Sequence, residues 1–177
     1  MTTPPAHPPS QSTSVPHLNP STQGQPGPGT HYRSKTLAAW LALLLGSLGL
    51  HRFYLRGFSD WLGWLHPVPT AMGILGVDRL RNLGQDDPWV WVLLPLLGLM
   101  ISQAMLTAIY YALTSDERWD ERHNPGQPVT STTWGPVFAA VLAMLLGGGV
   151  LMGTIAYSGQ KFFEWQHDKS LSSEPST

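Results

Sequence analysis

The chain has 177 residues, 42% of them hydrophobic and 12% charged, with a net charge of -1. That balance, without a basic stripe, excludes the electrostatic footprint of a nucleic-acid binder, and the absence of cysteine excludes disulfides, thiol catalysis, Cys-ligated zinc and iron-sulfur clusters. The averages match a soluble single domain, but polar and apolar residues are segregated along the chain.

Residues 1–35 hold eight of the sixteen prolines, many Ser, Thr, Gln and Gly, and no acid. Such a segment buries too little surface to offset its ordering entropy, so it reads as a disordered tail. It lacks the pattern of a secretory signal peptide, which leaves the first apolar helix as its own insertion signal.

The first apolar stretch, residues 36–50, ends in the run GSLGLHRFYL from Gly46 to Leu55. Fifteen helical residues rise only about 22 Å, short of a hydrocarbon core of about 30 Å. His51 and Arg52 are therefore expected at the lipid edge, where cationic and aromatic side chains settle, with Phe53, Tyr54 and Leu55 completing the crossing. Arg52 is expected to snorkel outward or to pair with Asp60 across the turn 56–60. A second stretch, 61–77, contains His66, Pro67 and Pro69, and the prolines predict a break near His66. A full crossing there returns Asp78 to the side of Lys35; an interfacial or re-entrant segment is the alternative.

Residues 89–113 and 134–157 each run for more than twenty residues without Asp, Glu, Lys, Arg or His, the length and composition of a spanning helix. Six tryptophans, at 40, 61, 64, 89, 91 and 134, fall at the starts of the four stretches, as an aromatic belt requires. Small residues recur on the helices: Ala38, Ala42, Gly46 and Gly49 in the first, faced by Gly63, Gly73 and Gly76 of the second, and Ala139, Ala143 and Gly147 in the last, followed by a Gly149–Gly153 pair. Such stripes let backbones approach closely within a chain or between two copies. Gln103 in the third helix is expected to make an interhelical hydrogen bond. The loop 114–133 contains SDERWDERHNPG, which reads as a short helix with Ser115 as N-cap, acids in its first turn, Trp119 inward and Asn124-Pro125-Gly126 as the stop. Residues 159–177 read as a C-terminal tail.

The predicted fold is thus an all-α membrane protein of about four transmembrane helices, the first two a short-linked hairpin over 36–84 and the second pair spanning 85–158, preceded by the Pro-rich tail. With four crossings, Arg33, Lys35, Arg79, Arg81, Lys161 and Lys169 share one side and Arg52, Arg56, Arg118 and Arg122 the other. Six against four favours both termini in the cytoplasm, in a cell (plasma or inner) membrane.

A Lys before the first helix, then LLLGSLGLHRFYL, a short linker, a glycine-rich second helix and Asp78 near its end resemble the TM-two domain, over residues 35 to about 84. The motif residues that carry the resemblance are Lys35, Gly46, Gly49, His51, Arg52, Phe53, Tyr54 and Asp78. The family usually has Gly directly after the Leu, where this chain has Arg56 and then Gly57. The resemblance implies an integral membrane protein whose paired helices form a hairpin; it implies an architecture rather than an activity. The charges suggest a clamp, with Lys35 meeting Asp78 at one end and Arg52 meeting Asp60 at the other.

No phosphate loop, HExxH, GxSxG or Ser-x-x-Lys pattern is present. The sequence therefore assigns no catalytic, cofactor-binding or metal-binding residue and no cofactor. The expected function is that of a non-enzymatic, multi-pass membrane protein with a structural or interaction role. Its partners are the lipid bilayer, other membrane proteins and a second copy through small-residue helix faces, and nucleic acid is not among them. A small transporter or channel using Asp78, Gln103 and the broken Pro67 segment is the alternative, and a membrane enzyme the third reading.

Overall fold

A computed structural model describes residues 32–172, and these form helices and connecting segments with no strand among them. Two long antiparallel helices make the frame: α5 (Pro88–Leu113) and α7 (Gly135–Ser172). The side chain of Asp87 caps α5 by accepting from the Trp89 N–H, and Pro88 occupies the first turn, where a missing N–H costs nothing. The two helices meet through small residues. Ala139 and Ala143 of α7 pack with Ala108 and Ala112 of α5, and a Cβ added at Gly147 would stand 2.6 Å from Cβ of Met105. Both helices are long and apolar enough to cross a membrane, and no other helix among the described residues reaches that length.

The first stretch departs from expectation most. The helix α1 (Lys35–Leu45) has 11 residues, about 16 Å, and ends in a tight 3-10 turn at Gly46–Leu48. Gly49 follows in the left-handed conformation, φ 78°, and the chain reverses into α2 (Leu50–Arg56). The run GSLGLHRFYL is therefore the tip and return arm of a helical hairpin, rather than the far edge of a crossing. The hairpin closes on itself: the Ser34 N–H donates to the Tyr54 hydroxyl at 2.8 Å, and Leu55 packs with Ala38. Its tip rests on α5 at Ala104, nine residues before the end of that helix, so the chain turns back after about 14 Å. A chain reversal was expected as an alternative for the proline-containing second stretch; the structure has it in the first.

That second stretch is broken at His66, as the prolines predict, into α3 (Trp61–Leu65) and α4 (Pro67–Leu83). His66 itself keeps helical dihedrals, so the interruption is short. Gly63 lies against Gly49 and gives room to the Phe53 ring. Gly73 and Gly76, expected to face the first helix, instead pack on Leu97 and Leu93 of α5. The helix α4 thus runs antiparallel to α5, and Arg79 pairs with Asp87 at the connecting turn, 2.6 Å.

The bundle consequently has two ends. One holds the start of α1, the end of α2, the end of α5, the short helix α6 (Asp116–His123) and the start of α7, where Gly135 abuts Thr36. The other holds the α4–α5 turn and the second half of α7, where Lys161 lies 3.9 Å from Asp86. Lys35 and Ser172 are at opposite ends, whereas the four-crossing reading set both termini on one side. The helix α7 continues through the segment expected as a tail as far as Ser172, supported by Gln160–Glu164 and Lys161–Glu164 side-chain bonds. The expected disordered tail lies outside the described residues, apart from 32–35.

Candidate functional site

The α6 end of the bundle is where polar and charged side chains converge. Ser115 caps α6 by accepting from the Arg118 N–H, Asp116 and Glu117 occupy the first turn and Arg122 and His123 the last, each sign where the helix dipole favours it. Trp119 is 2% exposed, packs edge-on against Tyr111, and donates its indole N–H to the Arg33 carbonyl at 2.8 Å. Two acids of this helix, Asp116 and Asp120, are bound by neighbouring side chains and backbone. Asp116 receives Lys35, the Thr132 N–H and the Thr132 hydroxyl; Asp120 receives Asn124 at 2.7 Å and the Thr130 N–H at 3.0 Å. Burial raises the Asp116 pKa, but the bonds from Lys35 and Thr132 outweigh it and hold the carboxyl at about 2.

Seven of the eight motif residues meet on the α1–α2 hairpin. Gly46 allows contact with Ala104, and Gly49 makes the turn. His51 is 2% exposed between His66 and Tyr111, with ring centroids 5.8 and 5.9 Å away. Phe53 stacks on Phe58 and packs on Trp64. Arg52 donates to Asp60 at 2.8 Å, the pair expected from the sequence, and that bond pulls the Asp60 carboxyl below its usual value. Lys35 does not meet Asp78. Its ammonium bonds Asp116 and the Thr114 carbonyl, while Asp78 is exposed at the other end without an ion pair among the described residues. The cause is the reversal at Gly46–Gly49, which returns the chain to the α6 end so that α4 then carries Asp78 to the opposite one.

Gln103 is exposed and bonds Thr107 of its own helix at 3.3 Å, so the expected interhelical bond is absent. Among the described residues, neither His66 nor His123 lies against a carboxylate. The first bonds the Leu62 carbonyl, and the second lies over Trp119 with ring centroids 4.1 Å apart.

Beside Trp119 lies a cavity of about 330 Å³ that sequence reasoning missed. Five arginines line it: Arg33 before α1, Arg52 and Arg56 from α2, and Arg118 and Arg122 from α6. Leu55, Tyr111 and Trp119 contribute its apolar wall. Burial holds the His123 imidazole below its usual pKa, and the charges of Arg122, Arg33 and Arg56 add to that against a hydrogen bond to the Trp119 carbonyl. The arginine charges thus disfavour a further proton on His123. Four of these arginines were expected on one side of the membrane and Arg33 on the other. The available signal was the shortness of the first apolar stretch together with its terminal glycines, which together admit a reversal.

No family model, curated protein or solved structure matches the chain. The likeness to the TM-two domain rests on the motif residues alone.

Proposed function

We propose that this chain is a non-enzymatic, integral multi-pass membrane protein of the TM-two type. It crosses the bilayer three times, through α3–α4, α5 and α7, and carries α1–α2 as a re-entrant hairpin beside them. The observation that supports this best is the outer surface of α7. Only 17% of its most apolar stretch is buried in the protein, and Leu142, Met144, Leu145, Leu146 and Met152 face outward. A core helix of a soluble domain would be covered, and an apolar coat of this extent calls for lipid. Irregular backbone at the Gly46–Gly49 tip is compatible with lipid depth because it is packed against α5 rather than exposed to hydrocarbon.

Six basic residues, Arg33, Lys35, Arg52, Arg56, Arg118 and Arg122, belong to the α6 end, and Arg79, Arg81, Lys161 and Lys169 to the other. The positive-inside rule then sets the α6 end in the cytoplasm and the end of α7 outside, in a cell membrane. The motif residues serve the hairpin's packing, and the outward faces serve contact with lipid, other membrane proteins or a second copy.

The absence of native cysteine makes the topology directly testable. Single replacements Ser21→Cys, Ser59→Cys, Ser131→Cys and Gln85→Cys are expressed in cells, and intact cells and inverted vesicles are treated with a membrane-impermeant maleimide. Three crossings put positions 21, 59 and 131 on one face and 85 on the other. Labelling of position 21 together with 85 restores the four-span reading, and release of the chain by alkaline carbonate removes the membrane reading altogether.

A further inference from the structure

The cavity at the α6 end holds more positive charge than its surroundings neutralise. Of its five arginines, Arg52 has a carboxylate at hydrogen-bond distance, Asp60, and Arg56 stands 4.0 Å from that same group. Arg33 and Arg122 donate to neutral oxygens, the His123 carbonyl at 3.5 Å and the Tyr110 hydroxyl at 3.1 Å. The Arg118 guanidinium has no partner among the described residues, and Nη2 of Arg52 is buried without one. Asp116 is committed to Lys35 and Thr132 and Asp120 to Asn124 and Thr130, while the exposed Glu117 and Glu121 of α6 are not among the residues that line the cavity. A chain of net charge -1 that gathers five guanidinium groups from three separate segments around one cavity accepts mutual repulsion, which an anion would relieve. Guanidinium forks match the oxygens of a phosphate two at a time, and the apolar wall of Leu55, Tyr111 and Trp119 limits water around such bonds.

We propose that this cavity binds a phosphate-bearing anion, with the five arginines as its donors. The face of α5 formed by Leu99, Leu106, Tyr110 and Leu113 is exposed and runs from the cavity's rim along the helix. A phospholipid headgroup seated among the arginines would have its acyl chains on that face. A water-soluble phosphate ester offers the same headgroup chemistry from the aqueous side. The inference goes beyond the proposed function, and only the lipid source rests on the membrane reading.

The test uses the full chain in a neutral detergent, with thermal unfolding followed during titration with phosphatidic acid and, separately, glycerol 3-phosphate; phosphatidylcholine and glycerol are the blanks. The unfolding midpoint is expected to rise with at least one phosphate probe. The pair Arg56→Gln and Arg118→Gln, both exposed, should weaken the apparent affinity about tenfold or more, as expected when two charge-assisted bonds are lost. Arg118→Gln alone serves if the pair does not fold. Arg81→Gln with Lys169→Gln removes the same charge from the opposite end and should leave the affinity unchanged. A rise with phosphatidic acid alone makes the ligand a lipid headgroup, and a rise with glycerol 3-phosphate makes it a soluble ester; both support the site. No rise with either probe, or equal weakening by the two double variants, overturns it.

Discussion

Lys35 shows how a single side chain reports the path of the backbone. It is 8% exposed, so its charge needs a partner, and the sequence offers Asp78 as readily as Asp116. The structure selects Asp116 because the chain returns to the α6 end through α2, and α4 then carries Asp78 to the opposite end. Removing the carboxylate leaves an unpaired, largely buried ammonium, so Asp116→Asn should lower stability in detergent by about 1–3 kcal/mol. The pH dependence has a fixed sign. The Asp116 carboxyl titrates at about 2 in the fold against 3.8 ordinarily, so the unfolded chain binds its proton first as pH falls. Its stabilisation is complete above about pH 4 and is lost as the pH falls towards 2. An unfolding midpoint measured from pH 6 to 2 should drop less steeply for Asp116→Asn than for the native chain.

At the level of elements, the hairpin depends on Gly49. Its φ of 78° disfavours a side chain, and a Cβ there would stand 2.5 Å from the Gly63 carbonyl oxygen. Gly49→Ala should therefore cost about 2–4 kcal/mol, the sum of a left-handed backbone and a clash that no rotamer relieves. Loss of protection from hydrogen exchange over α1 and α2, with α5 and α7 unchanged, is the expected signature. The last helix offers a second comparison at adjacent positions. Gly147→Leu drives a side chain into Met105 and should destabilise the α5–α7 contact by about 1–3 kcal/mol, whereas at Gly148 nothing lies within 4 Å and the same change should be near neutral in detergent melting.

These elements also show what could be read before the fold was known. Long uncharged runs identified α5 and α7 because long apolar helices are specified by local composition, and α6 was legible from Ser115, its acids and the Asn124-Pro125-Gly126 stop because capping is local too. The reversal at Gly46–Gly49 was not legible, since glycines at that spacing suit both a packed helix face and a helix end, and only the contact with Ala104 decides between them. The cavity followed from that one choice, because it brings Arg33 to Arg52 and Arg118.

For the whole molecule, the same reversal changes the count of basic residues by side. Six lie at the α6 end and four at the other, a margin small enough to invert by substitution. Replacing Arg56, Arg118 and Arg122 with Gln leaves three against four, so an orientation governed by positively charged flanks should become mixed. In a Ser131→Cys background, label added outside intact cells should then reach a fraction of the molecules that it does not reach in the parent. Arg81→Gln with Lys169→Gln widens the margin to six against two and should keep position 131 inaccessible from outside. Should position 131 stay protected in the triple variant as well, orientation would be set by something other than the basic flanks, and the order of insertion of α5 and α7, the two longest apolar helices, would be the next determinant to vary.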